Sequence, residues 1–390
     1  MTHDLIVFAE DWGGLPSSTQ HLIKQLAKTR KVVWINSIGL RQPTLSVNDI
    51  KRLWAKLTAT KTTSVNIESN EIENNIESNI NESTSVDFHI INPRTLPAPR
   101  SALARYVAQK LLLLQIKPII KKAKLRSPIL WTSLPTAVDF SGYLDEVAMV
   151  YYCGDDFSGL AGVDHHTVAK RENELAQKAD LIMVSSDKLL ANFPEKSTQL
   201  LTHGVDYDLF SAPCQRATDL PNDGRNIAGF YGSISAWLDI QLLHDTIIKM
   251  PDWHFVFIGK AVIDVSLISD LENVTFLGER PHHQLPSYSQ HWTASLLPFV
   301  DNAQIQACNP LKLKEYLAAG SPIISTSFAA ITPYRGLVQV ADSSDAMIEA
   351  LIASEQLQNL STFSSVLRDR VITKSWKSRA QQVSNWLESL

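Results

Sequence analysis

Short apolar runs separated by helix-length amphipathic segments set the rhythm of this chain. Leu5 to Ala9, Val32 to Asn36, Ile129 to Thr132, Ala148 to Tyr152 and Leu181 to Ser185 form one series; Ile227 to Tyr231, Phe255 to Ile258, Ala294 to Leu297 and Ile323 to Ser325 form a second. Strands that alternate with helices imply parallel sheets covered on both faces, and two such series predict two doubly wound α/β domains. Between them, Ser211 to Arg225 (SAPCQRATDLPNDGR) is polar and rich in turn formers, which makes it the expected hinge. Thr62 to Val86 belongs to neither series. It is dominated by Asn, Glu, Ser and Thr and repeats NIESN at Asn66 and Asn75, with too little apolar surface to offset the entropy of ordering, so it is expected to be a disordered surface insertion.

Composition narrows the function. A chain of 390 residues accommodates two domains of ordinary size, each with a full core. The formal charge of −4 disfavours a general nucleic-acid binder, which needs a basic surface to displace counterions. Cys153, Cys214 and Cys308 are few, odd in number and without metal-ligand spacing, as expected of a reducing cytosol rather than a disulfide framework or zinc site. Met1 leads straight into an apolar run, without a signal-peptide pattern, and no stretch is long and apolar enough to span a bilayer.

The most informative segment is Asn309 to Thr326, NPLKLKEYLAAGSPIIST. Asn309 suits an N-cap and Pro310 a first helical position; Leu313 and Leu317 recur on one face, and Gly320 closes the helix before a buried strand. Lys312 then falls in the first turn, where a cation opposes the helix dipole, and it precedes Glu315 in the less favourable order for an ion pair. Local stability explains neither residue, whereas an anion at the helix start explains the lysine. Phosphate oxygens would take Lys312 and the helix N–H groups, and Glu315, one turn on, would accept from ribose hydroxyls. The alternative is a solvated Lys and Glu on an exposed face.

Ligands of open α/β sheets bind beyond the carboxyl ends of the strands, so residues following strands are the next candidates. After the first run come Glu10-Asp11-Trp12-Gly13-Gly14, where Gly13 and Gly14 would let backbone approach a phosphate or sugar; the alternative is an ordinary turn capped by Ser17 or Ser18. After VAMVYYC come Gly154-Asp155-Asp156. Adjacent carboxylates there raise one another's pKa, so either Asp155 or Asp156 would supply a base for an acceptor hydroxyl, unless the pair only caps the next helix. His165 and His166 with Asp155, Asp156 and Asp164 fit no standard metal spacing, so no catalytic metal is expected.

Several segments together carry a family likeness. NPLKLKEYLAAGSPIIST, NVTFLGERPHHQLPSYSQHWTASLLPF (Asn273 to Phe299), IAGFYGSISAWLDIQLL (Ile227 to Leu243), RENELAQKADLIMVSS (Arg171 to Ser186) and HGVDYDLF (His203 to Phe210) occur in the order and spacing of GT-B glycosyltransferases. The chain from about residue 150 onward resembles the broad family-4 type and its relatives in bacterial surface-polysaccharide and teichuronic-acid assembly. The resemblance implies an acceptor domain over 1–210, a hinge over 211–225 and a nucleotide-sugar donor domain over 226–372, two Rossmann-like halves facing a cleft. It also implies a C-terminal helix over 373–390 packed back on the first domain. The turn Gly232, Ser233 with Trp237 would approach the diphosphate or sugar, Gly278 would pass the nucleobase, and Asn309, Lys312 and Glu315 would hold the donor. Two departures stand out. Ser233 and Leu238 occupy the family's basic positions, leaving Lys312 and Arg280 to neutralise the diphosphate. Ala307 replaces the first acid of the family's Glu-x7-Glu pair, of which Glu315 is the second. The Lys312, Glu315, Tyr316 pattern is also similar to inverting exopolysaccharide glucuronosyltransferases, so the anomeric outcome stays open.

The resemblance implies transfer of a sugar from a nucleotide, UDP above all, to a glycan or lipid-linked acceptor, with no metal or other cofactor. A sugar-nucleotide epimerase of the same fold and a non-catalytic partner in a polysaccharide assembly complex are the alternatives. One further segment bears on location. Arg100 to Arg126 holds eight Lys or Arg, no acid and the block LLLLQI, and a smaller mixture recurs over Lys51 to Lys56. Such a surface suits anionic lipid headgroups at the inner face of the cytoplasmic membrane, or else is a half-buried helix with a solvated basic side.

Overall fold

A computed structural model describes residues 2–13, 17–38, 63–64, 87–94, 102–156, 164–360 and 362–390. The insertion expected at 62–86 lies outside these residues except for Thr63 and Ser64, and so do Gly14 and 51–56. The chain divides into two compact units, Met1–Thr202 with Ala380–Leu390, and His203–Arg379.

In the first unit, strands β1 (Leu5–Phe8), β2 (Val32–Ile35), β3 (Thr63–Ser64), β4 (Phe88–Ile91), β5 (Ile129–Thr132), β6 (Ala148–Cys153), β7 (Leu181–Val184) and β8 (Thr198–Leu200) form one sheet in the order β3-β4-β2-β1-β5-β6-β7-β8. All pairs are parallel except β3 with β4. The apolar runs have no solvent-facing side because helices cover the sheet: all four residues of β1 are fully buried. The chain goes from β1 to β2 on one side and later to β5 on the other, which puts the switch point of the winding at the carboxyl end of β1. The C-terminal segment rejoins this unit through Arg30, whose buried guanidinium donates to the His3 carbonyl at 2.7 Å, to Ser384 at 2.7 Å and to Glu388 at 3.1 Å.

The second unit has strands β9 (Asn226–Tyr231), β10 (Trp253–Ile258), β11 (Val274–Gly278), β12 (Ala294–Leu297), β13 (Ile323–Ser325) and β14 (Val338–Val340), all parallel, in the order β11-β10-β9-β12-β13-β14. Its switch point lies between β9 and β12. Both units are Rossmann-like, the construction of a GT-B fold. The centre of β9 is pinned by Trp292, which lies so close that a Cβ at Gly229 would sit 1.8 Å from the indole.

The polar stretch 211–225 is not the connection. The division falls at Thr202/His203, and the stretch packs within the second unit, where Leu220 is buried in the core and Asp219 is hydrogen-bonded by Tyr288 at 2.8 Å. Turn-forming composition marks a surface loop as readily as a hinge. At the start of the second unit, Val205 N–H donates to the Lys374 carbonyl at 3.0 Å and Trp376 N–H to the Val205 carbonyl at 3.1 Å. Trp376 leaves room only for glycine at 204, since a Cβ there would lie 2.6 Å from its ring.

Candidate functional site

In the second unit three strand ends step into one another through glycines. Gly232 N–H donates to the Ile258 carbonyl at 2.8 Å and Gly259 N–H to the Gly278 carbonyl at 2.8 Å, following β9 and β10. Gly232 has φ +127°, Gly259 +137° and Gly278 +70°, values that L side chains rarely adopt. A Cβ at Gly259 would sit 2.0 Å from the Gly232 carbonyl oxygen, and one at Gly232 only 2.2 Å from Lys312 Cε and 2.7 Å from its Nζ. Lys312 is therefore laid directly over the Gly232 turn, its ammonium 5.4 Å from the centre of the Phe230 ring. Burial lowers the Lys312 pKa, while the charge of Glu315 and then Cys308 opposes the fall.

The helix that carries Lys312 runs Leu311–Ala319 and ends at Gly320, φ +91°. Its N-cap is Pro310, extended and without a capping side chain, not Asn309 as the sequence suggested. A proline has no side-chain acceptor, so the N-cap residue itself makes no side-chain capping hydrogen bond. Leu313 and Leu317 are fully buried on the core face.

Glu315 is also buried, with 8% of its surface exposed, and each oxygen already has a protein donor: His282 Nε2 at 2.9 Å from Oε1 and Tyr231 hydroxyl at 2.8 Å from Oε2. One further acceptor direction remains on each oxygen. Burial alone would raise the Glu315 pKa; the hydrogen bond and charge of His282, followed by Tyr231 and Lys312, outweigh it, and the pKa falls. On His282 burial acts downward, but Glu315 and the charge of Asp206 win and raise its pKa. Both shifts favour an imidazolium paired with a carboxylate.

Arg280 is held in a network of its own in this structure. All three guanidinium nitrogens face protein acceptors: Asp219 at 2.7 Å, the Tyr288 hydroxyl at 3.1 Å and the Glu279 carbonyl at 3.0 Å. Its charge is matched by Asp219, which leaves Lys312 as the cation over the glycine turn. Ser233 contributes its carbonyl to the Trp237 indole N–H at 3.2 Å, so the turn after β9 is closed by its own tryptophan.

In the first unit, Gly13 has φ +79° at the carboxyl end of β1, where a turn of left-handed backbone demands glycine. Trp12 beside it packs on Trp34 and Phe88, ring centres 4.8 and 4.6 Å apart, and its N–H donates to Asn36 at 2.9 Å. Asp155 and Asp156 follow β6. They do not cap the next helix, His165–Lys178, because Asp164 does so by accepting from Thr167 N–H. Asp155 is exposed, yet loss of hydration from the surrounding protein, and then repulsion from Glu10, raise its pKa. Behind β6, Glu172 accepts from the Tyr151 hydroxyl at 2.6 Å. Among the described residues no group of three or more His, Cys, Asp or Glu is gathered as a metal site would require.

Sequence reasoning missed His282, Tyr231 and Lys314. His282 stands in a segment singled out for its family likeness, and Tyr231 was counted only as strand. Lys314 is 2% exposed and donates to the His203 carbonyl, where burial depresses its pKa strongly. The signal was available: Lys314 lies one residue after Leu313 and three before Leu317, toward their core face.

Comparison with known proteins bears on the fold and the family. Residues 225–354 match the family described as Glycosyl transferases group 1. A Bacillus subtilis protein named as a teichuronic acid biosynthesis glycosyltransferase, TuaH, is 27% identical over 284 residues, 66% of this chain and 71% of the relative. Among solved structures, Anabaena HepE in complex with UDP superposes with a TM-score of 0.66 at 12% identity, over 99% of this chain and 100% of that one. Sucrose-phosphate synthase from Thermosynechococcus elongatus gives 0.67 at 16%, over 99% and 98%. At such identities the solved structures speak for the fold alone. Fold, family match and sequence relative together identify the chain as a GT-B glycosyltransferase whose residues 225–354 match the group 1 family.

Proposed function

We propose that the chain transfers a sugar from a UDP-linked donor to a glycan or lipid-linked acceptor in cell-surface polysaccharide synthesis, without a catalytic metal. The observation that carries this reading is the Lys312 ammonium laid over the Gly232 turn at the switch point of the second sheet, with the Glu315 carboxylate one helical turn away. That arrangement offers a cation to a diphosphate and an acceptor to ribose hydroxyls. The ligand-bound HepE structures with UDP and UDP-glucose favour uridine, and the TuaH relative favours an envelope polysaccharide acceptor. Asp155 or Asp156 would take the proton of the acceptor hydroxyl, and the raised pKa of Asp155 suits a base.

The helix Ala102–Ala123 supports a peripheral membrane position for this enzyme. Its inner side buries Leu112, Leu113 and Ile116, while Leu103 and Leu114 are each 74% exposed, alongside Tyr106, Val107 and Leu111. Lys117, Lys121 and Lys122 follow toward the C-terminal end of the helix, with Lys124 just beyond it, and all four are exposed. Exposed apolar side chains and exposed cations on one helix match an anionic lipid surface. No helix among the described residues is long and apolar enough to cross a membrane.

The test is incubation with a panel of nucleotide sugars, following nucleoside diphosphate release with and without a membrane extract. Release from a UDP-sugar that rises with the extract supports the reading. Conversion to another UDP-sugar without acceptor would make the protein an epimerase, and absence of any turnover would make it a non-catalytic partner.

A further inference from the structure

We infer that His282 is a positioning residue for donor binding, fixing the Glu315 carboxylate in the orientation that receives the ribose. The inference rests on the reading of Glu315 as a ribose acceptor.

His282 lies in the tight turn His282–Gln284 that follows Pro281, and its ring edge meets Phe210, centres 5.3 Å apart. From there Nε2 reaches Glu315 Oε1 at 2.9 Å, while the Tyr231 hydroxyl holds Oε2 at 2.8 Å. Tyr231 is itself fixed: its N–H donates to the Tyr316 hydroxyl at 3.2 Å, and its ring meets that of Tyr316 edge-on, centres 4.8 Å apart. The carboxylate is thus gripped from both sides by groups on two different elements, the turn His282–Gln284 and β9, with the remaining lone pairs left for a ligand. A free glutamate would have to be ordered at the moment of binding, so gripping it beforehand favours affinity. The charges of Glu315 and Asp206 act on His282, while His282, Tyr231 and Lys312 act on Glu315.

The experiment compares wild type with His282→Ala, His282→Gln and Glu315→Gln, using calorimetric titration with UDP and with inorganic pyrophosphate, and steady-state kinetics with the UDP-sugar that the wild type turns over. His282→Ala is expected to weaken UDP about tenfold and raise KM with kcat nearly unchanged, as for loss of ground-state binding. Pyrophosphate, which lacks a ribose, should bind both proteins alike. His282→Gln, whose amide can still donate, should restore most of the affinity at neutral pH. Equal weakening of UDP and pyrophosphate in His282→Ala, or no rescue by Gln, would overturn the positioning role. If Glu315→Gln weakens UDP and His282→Ala does not, His282 alone is misassigned; if Glu315→Gln has no effect, the ribose reading itself fails.

Discussion

Gly232→Ala tests the packing of the donor site more sharply than removing any charge. The added methyl would lie 2.2 Å from Lys312 Cε and 2.7 Å from Nζ, distances that no side chain tolerates. The glycine carbonyl is already in contact with Gly259, so the backbone has little freedom to retreat, and the flexible end of the lysine must swing away. Holding alanine at φ +127° adds strain of about 1 to 3 kcal/mol to the folded state. Losing the ammonium from the diphosphate removes a charge-assisted contact worth about 1.5 to 3 kcal/mol, which is roughly a 10- to 150-fold rise in Kd. Calorimetric titration with UDP gives the affinity, and urea unfolding gives the strain. Because the substitution acts through Lys312, the double variant with Lys312→Ala should bind UDP no more weakly than Lys312→Ala alone. An unchanged Kd in Gly232→Ala, or full additivity in the double variant, would refute the reasoning.

Three other outcomes are expected. Lys314 has a depressed pKa in the folded protein, so between that value and its unfolded pKa the unfolded chain binds the extra proton and stability rises with pH, at a slope of up to about 1.4 kcal/mol per unit. Lys314→Met should flatten that alkaline rise in denaturant midpoints, and identical slopes in both proteins would contradict the burial of a charge there. Asp155→Asn or Asp156→Asn, but not both equally, should lower kcat about a hundredfold with donor affinity preserved; if neither slows transfer, the acceptor is activated elsewhere. Exchanging Lys121, Lys122 and Lys124 for Gln should release the protein from anionic liposomes, since each cation near a lipid surface contributes about 1 kcal/mol, and high salt should do the same to wild type. Equally weak sedimentation of both at low salt would return the helix to a solvated surface.

The strands buried on both faces were legible because nothing in them alternates: Leu5–Phe8 and Ile129–Thr132 read as continuous apolar runs and lie at the centre of the first sheet. The shorter or less apolar β8, β11 and β14 were not, since Thr198–Leu200 and Val274–Gly278 carry polar residues and sit at sheet edges where one side remains open. Lys312 could be singled out because local helix energetics gave it no reason to be there. The engagement of Arg280 could not, because its partner Asp219 is distant in sequence and only the fold joins them. The place where the two units divide was not legible for a similar reason. Polar composition over 211–225 says that the segment turns at a surface, while the division falls at Thr202/His203, and His203 to Val205 are held within the second unit by Lys374, Trp376 and Lys314. The grip of His282 and Tyr231 on Glu315 likewise depends on three elements meeting, which no local pattern records.

The most direct measurement is a crystal structure of the protein with UDP. The account places a phosphate oxygen within hydrogen-bond distance of Lys312 Nζ above the Gly232 turn, and the ribose hydroxyls on the lone pairs of Glu315 left open by His282 and Tyr231. Nucleotide bound away from Lys312, or a ribose that leaves Glu315 untouched, would contradict it.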